Sequence, residues 1–330
     1  MILNLMSNVF SFFVNLRNSA FDKGKLKIIS TNAKVISIGN LIAGGSGKTP
    51  LTIKIANQLK SNFNIGIVGR GYGRTTKGMI LIDDINKFDG SEVGDEMLLI
   101  AKKTNLPVCL DEKKYKAAQE IDKNKNINLI IIDDGYQHRY IKRNVDILLI
   151  NQKTLDNPYP FPKGHLREKF ENYKRADIIL LEEGINKSKL DFPNNDIYFY
   201  KKYFIGVKSY SIKKIYYLTK YNSTALLISS IANPDNFRNF VNSVGFELKD
   251  IIYFNDHYIY KDDDIDKIIE RCKILKINNI ITTEKDLVKL EKYKNKLFQN
   301  EINILVLEID IKIENEDKFF ENIINKLNSD

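Results

Sequence analysis

Residues 39–50 read GNLIAGGSGKTP and follow a short apolar run at 35–38. A helical pattern begins directly after the glycines, so this segment joins a predicted strand to a predicted helix. Backbone N–H groups at such a helix start bind phosphate, a following lysine reaches the β/γ-phosphates, and a threonine hydroxyl binds Mg²⁺. We therefore predict a phosphate-binding loop, and the alternative is a glycine-rich turn without a ligand. Its predicted members are Ile42, Ala43, Gly44, Gly45, Ser46, Gly47, Lys48 and Thr49, with Thr49 also a metal ligand.

The loop departs from the usual Gly-x-x-x-x-Gly-Lys-Ser/Thr pattern because Ile42 stands at the first glycine. Gly44 and Gly45 supply the flexible backbone instead. Partition-type ATPases carry a second lysine where this chain has Ala43, so that subclass is disfavoured.

The rest of the chain predicts an α/β fold: a P-loop NTPase-like parallel sheet with helices on both faces, plus a second, smaller α/β domain. Short apolar runs alternate with helical patterns from residue 35, residues 185–200 contain no clear core element, and a second α/β series begins near residue 225. The expected division is an amphipathic helix at 1–22, a P-loop domain at 23–222 with a hairpin linker at 203–219, and the smaller domain at 223–330.

Residues 129–138 read LIIIDDGYQH. Four aliphatic residues ending in aspartate have the form of a Walker B strand, whose carboxylate holds Mg²⁺ directly or through water. The adjacent Asp133 and Asp134 point in different directions, so we expect them to do different jobs. A buried strand that ends in aspartate is common, and the upstream loop is what favours the metal interpretation.

The chain has three histidines, His138, His165 and His257, and each lies in a polar cluster. A carboxylate beside a histidine allows the pair to orient or deprotonate a hydroxyl group, whereas a histidine in a loop can also simply cap a turn.

Two further segments contain candidate residues. Residues 69–74, GRGYGR, predict a mobile basic loop that grips phosphate oxygens. Asp95 and Glu96 begin a predicted helix, where the structural alternative is a favourable charge near the helix dipole.

Residues 2–16 predict an amphipathic helix because polar residues recur at every third or fourth position. The segment is shorter than the roughly 20 apolar residues that span a bilayer, and it lacks the basic start and cleavage site of a secretory signal. Lysines at 23, 25 and 27 follow, where they would meet anionic headgroups. From these residues alone, a membrane-surface anchor and a helix packed by its apolar face onto the protein remain equally open.

Composition limits the function classes further. Lys and Arg number 51 against 42 Asp and Glu, a formal charge of +9, which favours anionic partners. The lysines are spread through a chain rich in Lys, Asn and Ile, and no basic run is interleaved with aromatics, so no nucleic-acid partner is expected. Two cysteines are too few for a disulfide framework or a Cys-based zinc site, which favours a reducing cytosol.

Together these motifs resemble the tetraacyldisaccharide 4′-kinase family, the lipid A pathway kinases that phosphorylate a membrane-embedded acylated glucosamine disaccharide. The segments that carry the resemblance are 39–50, Arg70-Gly71-Tyr72-Gly73, Gly94-Asp95-Glu96, 133–138, Gly164 with Leu166-Arg167-Glu168, Asn233-Pro234, Asp256-His257 and Thr283-Glu284-Lys285-Asp286. The family shares the absence of glycine at position 42. Met97, His165 and Lys169 depart from the family's usual pattern. These differences concern how the substrate is bound and not the chemistry.

The resemblance implies a kinase that transfers the γ-phosphate of ATP to the 4′-hydroxyl of a tetraacyldisaccharide 1-phosphate in lipopolysaccharide biosynthesis. It implies ATP and Mg²⁺ as cofactors, a lipid substrate, and a peripheral place on the cytoplasmic face of the inner membrane through the N-terminal helix, with no obligate protein partner. The catalytic residues would be Asp95, His257, Asp133 and Asp134, with Asp133 also holding metal. The substrate-binding residues would be Arg70, Tyr72, Gln137, His138, Arg167 and Glu168. His257 comes from the second domain, which implies closure on binding ATP.

Two other functions fit the loop. One is a P-loop NTPase switch or metallochaperone without a lipid acceptor, although the guanine-reading Asn-Lys-x-Asp motif of GTPases is missing. The other is a soluble small-molecule kinase whose N-terminal helix belongs to the core.

Overall fold

Strands and helices alternate along most of the chain. The computed structural model describes residues 2–44, 47–186, 196–211, 215–218, 220–232 and 234–329. The helices are α1 (Ile2–Asp22), α2 (Lys48–Leu59), α3 (Gly90–Val93), α4 (Asp95–Thr104), α5 (Lys114–Ile121), α6 (Gln152–Asp156), α7 (Pro234–Ser243), α8 (Asp262–Leu275), α9 (Glu284–Leu290), α10 (Lys294–Gln299) and α11 (Glu316–Asn328). The strands are β1 (Lys34–Asn40), β2 (Ile65–Gly69), β3 (Ile80–Ile82), β4 (Val108–Leu110), β5 (Leu129–Asp133), β6 (Val145–Ile150), β7 (Ile178–Glu182), β8 (Asp196–Tyr210), β9 (Ile215–Tyr217), β10 (Thr224–Ser229), β11 (Glu247–Tyr253), β12 (Asn279–Thr283) and β13 (Asn303–Ile313). Short 3-10 helices lie at Ile85–Lys87, Phe170–Arg175 and Glu291–Tyr293.

These strands form one sheet in the order β11-β10-β12-β13-β8-β7-β6-β1-β5-β2-β4-β3, and β9 pairs with β8. Neighbouring strands are parallel except in the pairs β8–β13, β8–β9 and β3–β4. The predicted α/β architecture with a mostly parallel sheet is confirmed.

The centre of the sheet places the two strongest sequence motifs side by side. Strand β1 pairs in parallel with β5, and Ile38 lies opposite Asp133. The loop after β1 and the carboxylate at the end of β5 therefore lie at the same edge of the sheet. Strand β5 is buried along its whole length, as is typical of parallel strands covered on both faces.

Helices cover both faces of this central region. On one face, α2, α4 and α11 contribute Ile55, Leu98 and Ile323 to a common core. On the other face, α5 packs Ala118 against Val35 of β1.

Strand β8 is the main difference from the predicted elements. The sequence predicts no core element over 185–200, but β8 begins at Asp196 and pairs with both β7 and β13. Lysines interrupt its apolar positions: Tyr200 is buried, whereas Lys201 and Lys202 are exposed. The strand therefore lacks the continuous apolar run that identifies its neighbours. Through β8 and β13, the two α/β series share one sheet.

The antiparallel pairing expected within 203–219 is present, since Tyr210 of β8 lies opposite Ile215 of β9. Residues 212–214 and 219 of this predicted hairpin lie outside the described residues.

Two helical segments are divided in the structure. Gly94, whose φ of +86° lies outside the helical region, separates α3 from α4 and lets α4 begin at Asp95, where the sequence predicts a helix start. The 3-10 helix at Glu291–Tyr293 joins α9 to α10.

Candidate active site

The phosphate-binding loop ends where α2 begins at Lys48. Gly47 precedes it with a φ of +94°, and a Cβ added there would lie 3.1 Å from Cε of Lys202, so both the backbone and the space favour glycine. Among the described residues no side chain caps this helix, which leaves its first amides oriented for an external acceptor. The predicted loop members Gly45 and Ser46 lie outside the described residues.

The first half of the loop is fastened to the segment 159–168. Ile42 is buried and forms an antiparallel bridge with Leu166, and the Ala43 N–H donates to the carbonyl of His165 at 3.3 Å. These two residues therefore anchor the loop, whereas Gly47 and Thr49 lie at the helix start.

Asp133 is buried at the end of β5 and accepts a hydrogen bond from Thr52 Oγ1 at 2.8 Å. Burial, with repulsion from Glu96 and Asp134, raises the pKa of Asp133 to about 6. Thr52 lies one helical turn after Thr49, so α2 presents both hydroxyl groups at the start of the helix. A carboxylate and a threonine hydroxyl are the hard oxygen donors that suit Mg²⁺. In the ranges that the structure describes, no three His, Cys, Asp or Glu side chains gather into a metal-binding cluster.

Asp134 is surrounded by cations and has a φ of +52°, which turns its side chain away from that of Asp133. Its carboxylate binds Arg167 Nη1 at 2.7 and 2.8 Å and lies 3.4 Å from Lys48 Nζ. Burial favours a higher pKa for Asp134, but Lys114, Lys48 and Arg167 hold it well below its usual value. Asp133 and Asp134 thus have different partners, and the assignment of different jobs to them stays a prediction.

The buried Lys114 contacts the backbone of both Asp133 and Asp134. The Lys114 ammonium donates to the carbonyls of Asp133, at 3.0 Å, and of Asp134. Burial lowers the pKa of Lys114, and the two carboxylates oppose that shift.

Asp95 and His257 lie together although 162 residues separate them in the chain. His257 Nδ1 lies 3.0 and 3.1 Å from the two Asp95 oxygens. Asp95 is buried, which favours a higher pKa, but the hydrogen bond to His257 and the charges of Lys289, His257 and Lys285 lower it to about 2. The same hydrogen bond raises the pKa of His257. A charged, oriented carboxylate–imidazole pair is suited to accept a proton from a hydroxyl group.

Glu96 and Lys285 lie between this pair and Asp133 electrostatically. They form an ion pair with each other. The charge of Lys285 helps to lower the pKa of Asp95, and the charge of Glu96 helps to raise the pKa of Asp133. The resemblance placed both residues in family segments without assigning them a role.

The predicted substrate-binding residues fall into two groups. Arg70 and Tyr72 are exposed on the glycine-rich loop, and the Tyr72 ring meets the His257 ring edge-on at 4.9 Å. Arg167 lies with Asp134 at the phosphate-binding loop. Tyr72 and Arg167 therefore contact the catalytic candidates His257 and Asp134, whereas Arg70 is placed only by its position on the same exposed loop.

Gln137, His138 and Glu168 are held within the protein instead. Glu168 is fully buried, binds Arg175 through two contacts of 2.7 Å, and accepts a hydrogen bond from Gln137 at 2.9 Å. The Tyr115 backbone N–H donates to His138 Nε2 at 3.1 Å, and burial lowers the pKa of His138 to about 4. These contacts do not agree with direct substrate contact through the Glu168 carboxylate or His138 Nε2, because these atoms already bind the protein.

Sequence reasoning missed Thr52, Lys114, Lys202 and Lys289. Thr52 could have been found from its position three residues after Thr49, on the same side of the helix. The three lysines gave no signal because 51 Lys and Arg residues are spread along the chain.

The N-terminal helix α1 turns its apolar face outward. Its buried residues include Ser7, Ser11 and Asn18, whereas Phe12 and Phe13 are each 63% exposed. Ser7 Oγ donates to the carbonyl of Pro160, and Asn18 Nδ2 donates to Glu168. The alternative in which α1 packs its apolar face onto the protein is therefore wrong. Among the helices of the described residues, none has the length and apolarity that a membrane crossing requires.

Comparison with known proteins gives consistent matches over the whole chain. A family model described as tetraacyldisaccharide-1-P 4′-kinase matches residues 1–328. The tetraacyldisaccharide 4′-kinase of Halothermothrix orenii is 31% identical, over 94% of this chain and 88% of that protein. The Aquifex aeolicus protein of the same name is 30% identical, over 94% of each chain. A crystal structure of "apo" form LpxK from Aquifex aeolicus in complex with ATP has a TM-score of 0.79 and 28% identity, covering 98% of this chain and 97% of that chain.

Proposed function

This chain belongs to the tetraacyldisaccharide-1-P 4′-kinase family, and from that premise we propose how its residues transfer the γ-phosphate of ATP to the 4′-hydroxyl of a tetraacyldisaccharide 1-phosphate. The observation that carries the proposal is the contact between Asp95 and His257, in a fold that also places the loop after β1 beside Asp133 at the end of β5. A phosphoryl-transfer enzyme needs this combination of a held triphosphate and a base for the acceptor hydroxyl.

The loop at 42–49 binds the ATP phosphates through the amides at the start of α2 and the Lys48 ammonium. Thr49 and Asp133 are the residues that would hold Mg²⁺, whose chemistry is to neutralise charge on the β- and γ-phosphate oxygens. Asp134 binds both Lys48 and Arg167, so it positions these two cations beside the phosphates.

Asp95 accepts the proton of the 4′-hydroxyl late in the reaction. Its lowered pKa keeps it ionised at neutral pH, and His257 fixes its orientation. A weak base suffices here because phosphoryl transfer depends mainly on positioning and charge neutralisation.

Arg70, Tyr72 and Arg167 are the substrate-facing residues of this proposal, because Arg70 and Tyr72 lie on an exposed loop that contacts His257 and Arg167 contacts Asp134. In this proposal Gln137, His138 and Glu168 hold neighbouring parts of the site in place and do not contact the substrate. Gln137 donates to the carbonyl of Asn40 at 2.8 Å and to Glu168, so this network holds the strand that leads into the loop.

We retain the three-part division at residues 22 and 222 as part of the proposal. It is supported by a separate core of buried residues within 226–306, and the Asp95–His257 contact then joins the second part to the third.

The outward face of α1 supports attachment to a membrane surface, where the acyl chains of the substrate lie. Phe12, Phe13, Tyr159 and Phe161 are all exposed, and the α1 residue Phe10 packs edge-on against Phe161. Such a face with lysines behind it suits the cytoplasmic leaflet of the inner membrane, which is anionic.

Vesicle flotation tests this attachment. We expect the Phe12→Ser/Phe13→Ser variant to lose about 100-fold in partitioning to phosphatidylethanolamine/phosphatidylglycerol vesicles, because each phenylalanine contributes about 1.5 kcal/mol or more when buried. The matched control is Ile274→Ser, which removes an apolar residue that is 62% exposed on α8. Equal flotation of the wild type and both variants would contradict membrane attachment through α1.

The activity itself is tested with purified protein, detergent-dispersed disaccharide 1-phosphate and ATP. We expect a bisphosphorylated product that Lys48→Met does not form at a comparable rate. Nucleotide hydrolysis without any product, together with a preference for GTP, would instead support a P-loop switch.

A further inference from the structure

A buried lysine lies directly behind the Asp95–His257 pair. Lys289 of α9 is 7% exposed, and its Nζ lies 3.4 Å from Asp95 Oδ2. The same ammonium binds Asp286 Oδ1 at 3.1 Å and contacts the Ser230 hydroxyl. A lysine so deeply buried requires compensating partners, and these three groups provide them.

Asp286 is fully buried, and its carboxylate is saturated by donors. It accepts hydrogen bonds from Tyr260 OH at 3.1 Å, from Thr283 Oγ1 at 2.9 Å, and from both the amide and the hydroxyl of Ser230. Its position cannot change without breaking several of these bonds, so it fixes the Lys289 ammonium in one place.

Ser230 connects this cluster to the other half of the pair. Its carbonyl accepts a hydrogen bond from the His257 backbone N–H at 3.2 Å, while its amide donates to Asp286 at 3.2 Å. Asp95 is thus tied to the cluster through Lys289, and His257 is tied to it through Ser230. The relative position of Asp95 and His257 therefore depends on the buried cluster of Lys289, Asp286 and Ser230.

We propose that Lys289, fixed by Asp286 and Ser230, is a positioning residue that holds the Asp95 carboxylate against His257. This inference rests on the proposed function, in which Asp95 is the base. It assigns the second α/β series two contributions to the reaction, the imidazole and the cation that aligns its partner.

The charged groups around Asp95 come from three elements. His257 and the exposed Asp256 lie on the loop after β11, Lys285 and Lys289 lie on α9, and Glu96 follows on α4. Lys285 is already paired with Glu96, and Asp256 lies 3.8 Å from the far nitrogen of His257. Lys289 is therefore the lysine whose ammonium contacts the Asp95 carboxylate among the described residues.

The test compares Lys289→Met with Lys289→Arg, and Lys292→Met is the control because it removes an exposed cation from the next turn. We expect Lys289→Met to lower kcat about 10- to 100-fold, since it removes a charge-assisted contact, while the KM for ATP stays unchanged. Lys289→Arg should restore part of kcat, and Lys292→Met should match the wild type. A kcat of Lys289→Met equal to that of the wild type, or no recovery of kcat in Lys289→Arg, would overturn the inference.

A second readout does not depend on turnover. The chain has three histidines, so the His257 imidazole can be assigned by NMR from its loss in His257→Gln. We expect the His257 pKa to rise in Lys289→Met, because the Asp95 charge then acts on the imidazole without a competing cation. An unchanged His257 pKa in Lys289→Met would refute this inference, whether or not the wild type makes product. Absence of product from the wild type would instead refute the proposed function. If Lys289→Met does not fold, Ser230→Ala is titrated instead, and a smaller upward shift is the supporting result.

Discussion

The carboxylates at the two ends of the site obtain their partners from different parts of the chain. Asp133 and Asp134 bind Thr52, Lys114 and Arg167, all within the first α/β series. Asp95, by contrast, binds His257 and Lys289 from the second series. The partners of Asp133 and Asp134 therefore lie within one half of the sheet, whereas the base end forms only when both halves pack together.

This difference separates two tasks that one site must perform. Changes in the second series should affect the proton transfer and leave nucleotide binding intact. Changes around Asp134 should affect the fold and the nucleotide together, because its cations Lys48, Lys114 and Arg167 all belong to the first series and Lys114 is buried.

The largest effect is expected for Asp95→Asn, which keeps the size of the side chain and removes the base. We expect kcat to fall by a factor on the order of 10² to 10⁴, the usual contribution of a general base. Initial rates of product formation at saturating ATP and lipid measure it. A variant that retains more than a tenth of the wild-type kcat would show that Asp95 is not the base.

The phosphate-binding end and the Asp95–His257 end also differ in how far they can be predicted from the sequence. The loop and the β5 carboxylate lie in short local patterns, and parallel pairing of β1 with β5 brings them together, so physical reasoning from the residues identified both. The Asp95–His257 contact joins segments 162 residues apart, and it was expected only through the family resemblance. Nothing local marks it.

Lys289 and Lys114 show why the remainder was missed. A lysine three residues after Asp286 on a helix is typical of an exposed ion pair, and only the packing of the helix decides that this one is buried. Strand β8 was missed for a related reason, since alternating lysines and aromatics give no continuous apolar run.

An intermediate effect is expected for Asp134→Asn, measured as the free energy of unfolding in urea. The substitution leaves Arg167 and Lys48 without their carboxylate, and we expect a loss of about 1–3 kcal/mol, less than for a fully buried pair because Asp134 remains 30% exposed. The control is Asp266→Asn, which breaks the exposed pair with Lys296 and should cost less than about 0.5 kcal/mol. Equal losses in the two variants would contradict the buried, cation-dense character of the phosphate end.

The smallest effect concerns the pH dependence of the Asp95–His257 coupling. Asp95 has a lowered pKa, so its contribution to stability is present above its ordinary pKa of 3.8 and is lost as the pH falls towards 2. His257 has a raised pKa, so its contribution is full below its ordinary pKa of 6.5 and is lost as the pH rises through the folded value.

The coupling should therefore be largest between about pH 4 and 6.5 and should decline towards pH 9. A double-mutant cycle of Asp95→Asn and His257→Gln in urea unfolding should give about 1–2 kcal/mol at pH 5.5. A coupling that is absent at pH 5.5, or that does not change up to pH 9, is incompatible with the charged pair.

Calorimetric titration with a non-hydrolysable Mg-ATP analogue tests the division of tasks most directly, with Lys48→Met and Asp95→Asn measured beside the wild type. The account predicts that Lys48→Met weakens binding about 10- to 100-fold by removing a charge-assisted phosphate contact, while Asp95→Asn binds as the wild type does. Full-strength binding by Lys48→Met, or loss of binding in Asp95→Asn, would contradict it.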